Sequence, residues 1–228
     1  MSTITRRFDG AVDRETLLYG ALLLNTELLL VALHAVFGGT SATSVQGLFQ
    51  YVYPLVWINA GLLAIGKTTP PPVSTGQRRK ALAVGAVYVL VLAAIGGIVR
   101  PGSPGIESYV QFNLLYLPPG WNPMLAYFSP LVSVTLIPYK LVGYWALAYL
   151  VYVTVLDTAG LSWGTLTGLF SCVSCAMGIL VPTLSSVLGG TGAVVGQLVP
   201  ESYGASTVVY LVSLALLYWR PVTRARAS

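Results

Sequence analysis

ALAVGAVYVLVLAAIGGIV, residues 81–99, decides the class of this chain. It carries no charged side chain over nearly the ~20 apolar residues that a helix needs to cross a bilayer. The Pro-rich, basic stretch KTTPPPVSTGQRRK (67–80) stands directly before it. An apolar run with a cationic flank is how a membrane helix meets the headgroups. The same pattern, followed outward in both directions, gives about six spans: 16–38, 46–66, 81–99, 138–157, 162–181 and a short one at 204–219. The predicted fold class is all-α, a polytopic transmembrane helical bundle forming a single domain over residues 1–228.

Composition agrees with this reading. Of 228 residues, 55% are hydrophobic and 8% charged, and the mean hydropathy is +0.76. Soluble domains carry about 25% charged residues, so a water-facing surface cannot be built from this chain. A disordered chain and a nucleic-acid-binding module are excluded on the same ground. The net charge of +5 does not point to nucleic acid, because the cations stand at the ends of apolar runs. Their distribution sets the orientation. Arg6, Arg7, Arg14, Lys67, Arg78, Arg79, Lys80, Arg220, Arg224 and Arg226 fall on one side of a six-span path, and Arg100 and Lys140 on the other. Both termini are therefore predicted cytoplasmic, in a multi-pass protein of the cell membrane. A seven-span path breaks the asymmetry. The partner expected at Arg78, Arg79 and Lys80 is the anionic lipid surface, at about 1 kcal/mol per basic residue. The first run is too long for a signal-peptide core and lacks a cleavage site of small residues; no glycosylation sequon or lipidation motif is present.

Two connecting segments are less regular. Residues 105–137 combine aromatics with an apolar stretch, PMLAYFSPLVSVTLI (123–137), too short to span, and this predicts an interfacial or re-entrant helix. Tyr109, Phe112, Tyr116, Trp121, Tyr127 and Phe128 suit the headgroup belt. Residues 182–203 are Gly-rich and predicted to be flexible, dipping into the membrane where protein or water satisfies their backbone.

Polar groups at membrane depth are the candidate site. Glu27 lies near the middle of the first run. An intramembrane acid is a functional hypothesis by default, and it must pair, face the protein interior or carry a proton. It serves either a proton or cation path or a buried structural pair. Asn25 is its neighbour in sequence. His34 lies two turns further on the same face, ~10 Å along the axis, and there is no second histidine for bis-imidazole haem ligation. Asn59 descends the second span to a similar depth. Cys172 and Cys175, the chain's two cysteines, share one face of the fifth span at i and i+3. Such a pair can hold a soft metal, with copper(I) the candidate cofactor, or cycle between dithiol and disulfide. It also continues a stripe of small residues (Gly164, Gly168, Ser171, Gly178) suited to close helix packing. Lys140 and Asp157, at the two ends of the fourth span, are expected at the interfaces, Lys140 snorkelling outward.

DRETLLYGALLLNTELLLVALHAVFGG (13–39) and SCVSCAMGILVPTLSSVLGG (171–190) resemble polytopic membrane proteins of haloarchaea with no assigned activity. The intramembrane C-x-x-C at Cys172 and Cys175 is similar in outline to that of copper-transporting P-type ATPases and membrane thiol oxidoreductases, although the nucleotide domains of the former and the second cysteine pair of the latter are missing. The resemblance implies a soft-metal or thiol site and nothing more.

Phosphate-binding loops, zinc-hydrolase motifs and nucleophile elbows are absent from the sequence, and one histidine with seven acids leaves most hydrolytic mechanisms without parts. The chain reads as non-enzymatic: a small permease, or an accessory factor handling a metal or a respiratory complex, with a polar site at mid-membrane depth. Two alternatives stand beside it. One is a membrane thiol–disulfide or thiol–quinone oxidoreductase, and the other a structural subunit of a membrane complex.

Overall fold

A computed structural model describes residues 14–38, 45–157 and 192–219. Among them are five helices, α1 (Arg14–Phe37), α2 (Val45–Gly66), α3 (Thr75–Ile95), α4 (Pro138–Asp157) and α5 (Gly192–Trp219), and four strands, β1 (Val99–Pro101), β2 (Tyr109–Asn113), β3 (Met124–Phe128) and β4 (Val132–Leu136). Three helical stretches, Leu17–Phe37, Gly47–Gly66 and Pro138–Asp157, are long and apolar enough to cross a membrane. They coincide with three of the predicted spans. The fifth predicted span, 162–181, lies outside the described residues.

The third run differs from its expected bounds at both ends. Its helix begins earlier because Ser74 caps it: Gln77 N–H donates to Ser74 Oγ at 3.4 Å, and the Ser74 hydroxyl donates to the Gln77 side-chain oxygen at 3.3 Å. This Ser-x-x-Gln box satisfies an otherwise orphaned donor and follows Pro70, Pro71 and Pro72. The basic turn is thus helical, and α3 carries Arg78, Arg79 and Lys80 exposed. The helix stops at Ile95 because Gly97 takes φ +75°, a left-handed conformation that favours glycine. At 1.5 Å per residue α3 measures ~31 Å. The sixth predicted span is the C-terminal part of α5, which starts at Gly192. Residues 192–203, expected as a flexible Gly-rich segment, are helical, and residues 182–191 lie outside the described residues.

The all-α expectation is corrected by a four-stranded antiparallel sheet in the order β1-β4-β3-β2. It occupies the segment expected as an interfacial or re-entrant helix. The hairpin of β3 and β4 pairs Leu125 with Leu136 and Tyr127 with Val134. Ser129 closes it: its hydroxyl donates to Val132 O at 2.7 Å and accepts from Val132 N–H at 3.1 Å. Pro130 follows at the tip, where a helix would need its missing N–H. β2 pairs with β3 from Tyr109↔Phe128 to Asn113↔Met124. In that register Val110, Phe112, Leu125, Tyr127, Val134 and Leu136 share one face, all apolar. Val134 and Leu136 pack against the helical core, while Val110, Phe112, Leu125 and Tyr127 are exposed.

The core lies between α2, α3, α4 and α5, with Trp57 at its centre. Tyr210 stacks on the Trp57 ring with centroids 4.0 Å apart, and Tyr139 and Tyr144 meet its edges. Contacts fix the helix directions. Asn59 meets Glu27 and Tyr51 meets His34, so α1 runs antiparallel to α2. Gly85 lies against Tyr152 and Gly96 against Tyr144, so α3 and α4 are antiparallel. Gly204 lies against Tyr53 and Gly61 against Tyr210, so α5 runs with α2. The sheet therefore sits at the end of the bundle where α1 and α3 finish and α2, α4 and α5 begin. The 67–74 connector sits at the other end.

Gly143 allows the approach of Trp57, since a Cβ there would overlap the indole. Gly143→Ala is expected to destabilise the protein by about 1–3 kcal/mol through overpacking. Gly20 has no atom within 4 Å of a built Cβ, so Gly20→Ala should melt no lower than wild type. Thermal unfolding of both variants in detergent micelles checks the contrast.

Candidate functional site

Two side-chain rungs join α1 to α2. In the first, Asn59 Nδ2 donates to Glu27 Oε1 at 2.7 Å, with both residues half-buried. In the second, the His34 ring meets Tyr51 edge-on at 5.6 Å, and both residues are buried. Seven residues separate Glu27 from His34, two helical turns, which puts both on one face. The antiparallel partner supplies Asn59 and Tyr51 at matching spacing. Most of the rest of α1 is apolar and exposed, including Leu22, Leu24, Leu28, Leu29, Leu30 and Leu33. A 24-residue helix this apolar on every side has no water-facing stripe, as expected where hydrocarbon surrounds it.

The geometry selects among the predicted site residues. Glu27 and Asn59 come together, and His34 continues their face. Asn25 does not join them; it is exposed, because residues two apart on a helix point to different faces. Cys172 and Cys175 lie outside the described residues. Among the described residues no three His, Cys, Asp or Glu gather to hold a metal ion. Chemically, the Glu27–Asn59 pair offers one carboxyl able to carry a proton or bind a small cation, held by a neutral amide that cannot take the proton itself. A hydrogen bond to a charged acceptor is worth about 1.5–3 kcal/mol, so the pair also pins an otherwise loosely attached helix.

Two further groupings escape the sequence. One is the aromatic centre, where Trp57 Nε1 donates to Thr207 Oγ1 at 3.0 Å and Tyr210 donates its hydroxyl to Trp57 O at 3.1 Å. Aromatic rings deep in an apolar run, opposite glycines in another run, are the signal that could have found it. The second is at the sheet end. Lys140 does not snorkel away from the protein; its ammonium donates to Gly96 O at 3.1 Å, as does the Tyr144 hydroxyl at 3.3 Å. Arg100 Nε donates to Gly97 O at 3.1 Å. The two cations expected on the outer side thus cover the carbonyl end of α3, where the helix dipole favours positive charge.

Comparison with curated proteins and with solved structures returns no match. Over residues 1–224 the sequence matches DUF7546, a family of unknown function, and the chain belongs to that family.

Proposed function

We propose that this protein is a six-span membrane permease with both termini cytoplasmic, in which Glu27, held by Asn59, is the polar group on the path of a proton or small cation. The observation that carries the reading is the 2.7 Å bond from Asn59 to Glu27, a polar contact between two largely apolar helices. An acid placed there is costly unless it is used or paired, and this one keeps acceptor capacity beyond its single bond. The helix directions support the topology. α1 starts and α5 ends at the connector end, where Lys67, Arg78, Arg79 and Lys80 lie. Asp157 also ends α4 there, whereas Gly192 begins α5 at the sheet end, which is compatible with the fifth of the six expected spans, at 162–181. Arg78, Arg79 and Lys80 then meet anionic headgroups on the cytoplasmic side.

The test is flux through the purified full chain in liposomes that contain a pH-sensitive dye, with a potassium diffusion potential imposed. Wild type should acidify or alkalinise the lumen faster than protein-free liposomes, and Glu27→Gln should fall to their level. A parallel series with a sodium-sensitive dye covers a cation other than the proton. Wild-type flux equal to background with both dyes overturns the reading, as does full flux in Glu27→Gln. A second reading, a subunit of a larger membrane complex, is favoured by the exposed leucines of α1. It predicts stoichiometric partners on native electrophoresis of a mild detergent extract.

A further inference from the structure

We infer that Arg100 and Lys140 form a receptor for a phosphate anion at the sheet end of the bundle. The site follows from the way α3 ends. Gly96 closes the last turn by donating its N–H to Leu92 O, and Gly97 at φ +75° then swings the chain into β1. That turn presents two consecutive carbonyls, one to Lys140 on α4 and one to Arg100 on β1. The guanidinium lies over Gly97, since a Cβ built there would stand 3.0 Å from Arg100 Nε and from one of its terminal nitrogens. The two cations are close enough for their charges to interact. Neither has a carboxylate partner among the described residues, and α4 has no acid in its first turn. Glu107 is exposed in the β1–β2 loop.

Charge balance decides what is missing. The carbonyl end of α3 contributes about half a negative charge, and the amide end of α4 adds about half a positive one beside it. Two positive charges therefore remain largely uncompensated, with Lys140 half-buried and Arg100 exposed. Donors remain as well: Lys140 uses one of its three and Arg100 one of its five. A planar guanidinium beside an ammonium matches the several oxygens of a phosphate better than a single acceptor. The depth suits a lipid. α3 carries its basic turn, Arg78, Arg79 and Lys80, at one end and meets Arg100 and Lys140 at the other, as cations flank a membrane helix at the two headgroup layers. This source rests on the membrane-spanning reading above; free phosphate offers the same chemistry from solution.

The experiment is native mass spectrometry of the delipidated full chain, titrated with phosphatidylglycerol, with phosphatidylcholine and with inorganic phosphate. Preferential retention of phosphatidylglycerol is expected. Arg100→Gln and Lys140→Met should each weaken retention about fivefold, the worth of one basic residue near a headgroup, while Arg100→Lys, which keeps the charge and loses the planar fork, recovers only part of it. Phosphate adducts with the same variant dependence but no lipid preference would assign the site to free phosphate. Equal retention of both lipids without phosphate adducts, or retention unchanged in both variants, overturns the inference. Alkaline extraction of the native membranes tests the spanning reading separately, so the two failures can be told apart.

Discussion

Trp57→Ala is expected to lower stability by about 3–5 kcal/mol, the usual cost of emptying a buried aromatic site. The ring is the piece shared by three helices. Tyr210 of α5 lies flat on it at 4.0 Å, and Tyr139 and Tyr144 of α4 meet its edges at 5.5 and 6.0 Å. Its N–H reaches Thr207. Lipid tails supply no hydrophobic drive between helices, so such packing and the hydrogen bonds within it hold the bundle together. Trp57→Phe keeps the stack and loses the N–H, and should cost roughly 1–2 kcal/mol. Thermal unfolding in detergent, followed by circular dichroism, should show a midpoint drop on the order of 10 °C for the alanine variant. A drop within error of zero would mean that the three helices are held elsewhere.

The second large effect is all-or-none. In a background with Cys172→Ser and Cys175→Ser, a cysteine at exposed Ser108 should react with a membrane-impermeant maleimide on whole cells. A cysteine at exposed Thr69 should react only after the cells are opened. Ser108 lies just before β2 at the sheet end, and Thr69 lies in the connector between α2 and α3. In the proposed topology one passage through α3 separates them. The cation asymmetry predicts the connector to be inside. Equal labelling of both from outside would remove the membrane crossing of α3, and the reversed pattern would invert the protein.

Much of the helical layout was legible in the sequence. The predicted runs 46–66 and 138–157 became Val45–Gly66 and Pro138–Asp157, and 16–38 became Arg14–Phe37. Apolar length is a local property, and a chain with 8% charge leaves few competing readings. The common depth of Glu27 and Asn59 was legible too, but their contact was not, because depth along a span does not say which helices touch. The sheet was not legible. Strands half-exposed to water alternate polar and apolar residues, but MLAYF is apolar on both faces, and short apolar runs do not separate strand from helix by period alone. The decisive cues were Ser129 and Pro130, which punctuate the run as a turn. The aromatic centre and the Lys140–Gly96 contact are long-range: 150 residues separate Trp57 from Thr207. Charge and hydropathy place Lys140 at a helix end but do not say which carbonyl it finds. Asn25 shows the opposite lesson, since nearness in sequence put it on the wrong side of its own helix.

The joints of the sheet have a consequence for any attempt to handle it alone. Ile137 is the single residue between β4 and α4, and Gly96–Ile98 is all that separates α3 from β1. Ile98 and Ile137 are buried in the helical core, and Val134 and Leu136 lean on it. A sheet cut out at these borders would leave behind the helical core that these residues pack on. Length variation can enter instead at the largely exposed 103–108 segment, whereas 114–123 is tied to the start of α4 by Gly120 O, which accepts from Tyr139 N–H at 3.0 Å, and by Trp121 against the Tyr139 ring. The strands are thus a fixed extension of α3 and α4: when either helix tilts, the sheet turns with it, with no slack to absorb the motion.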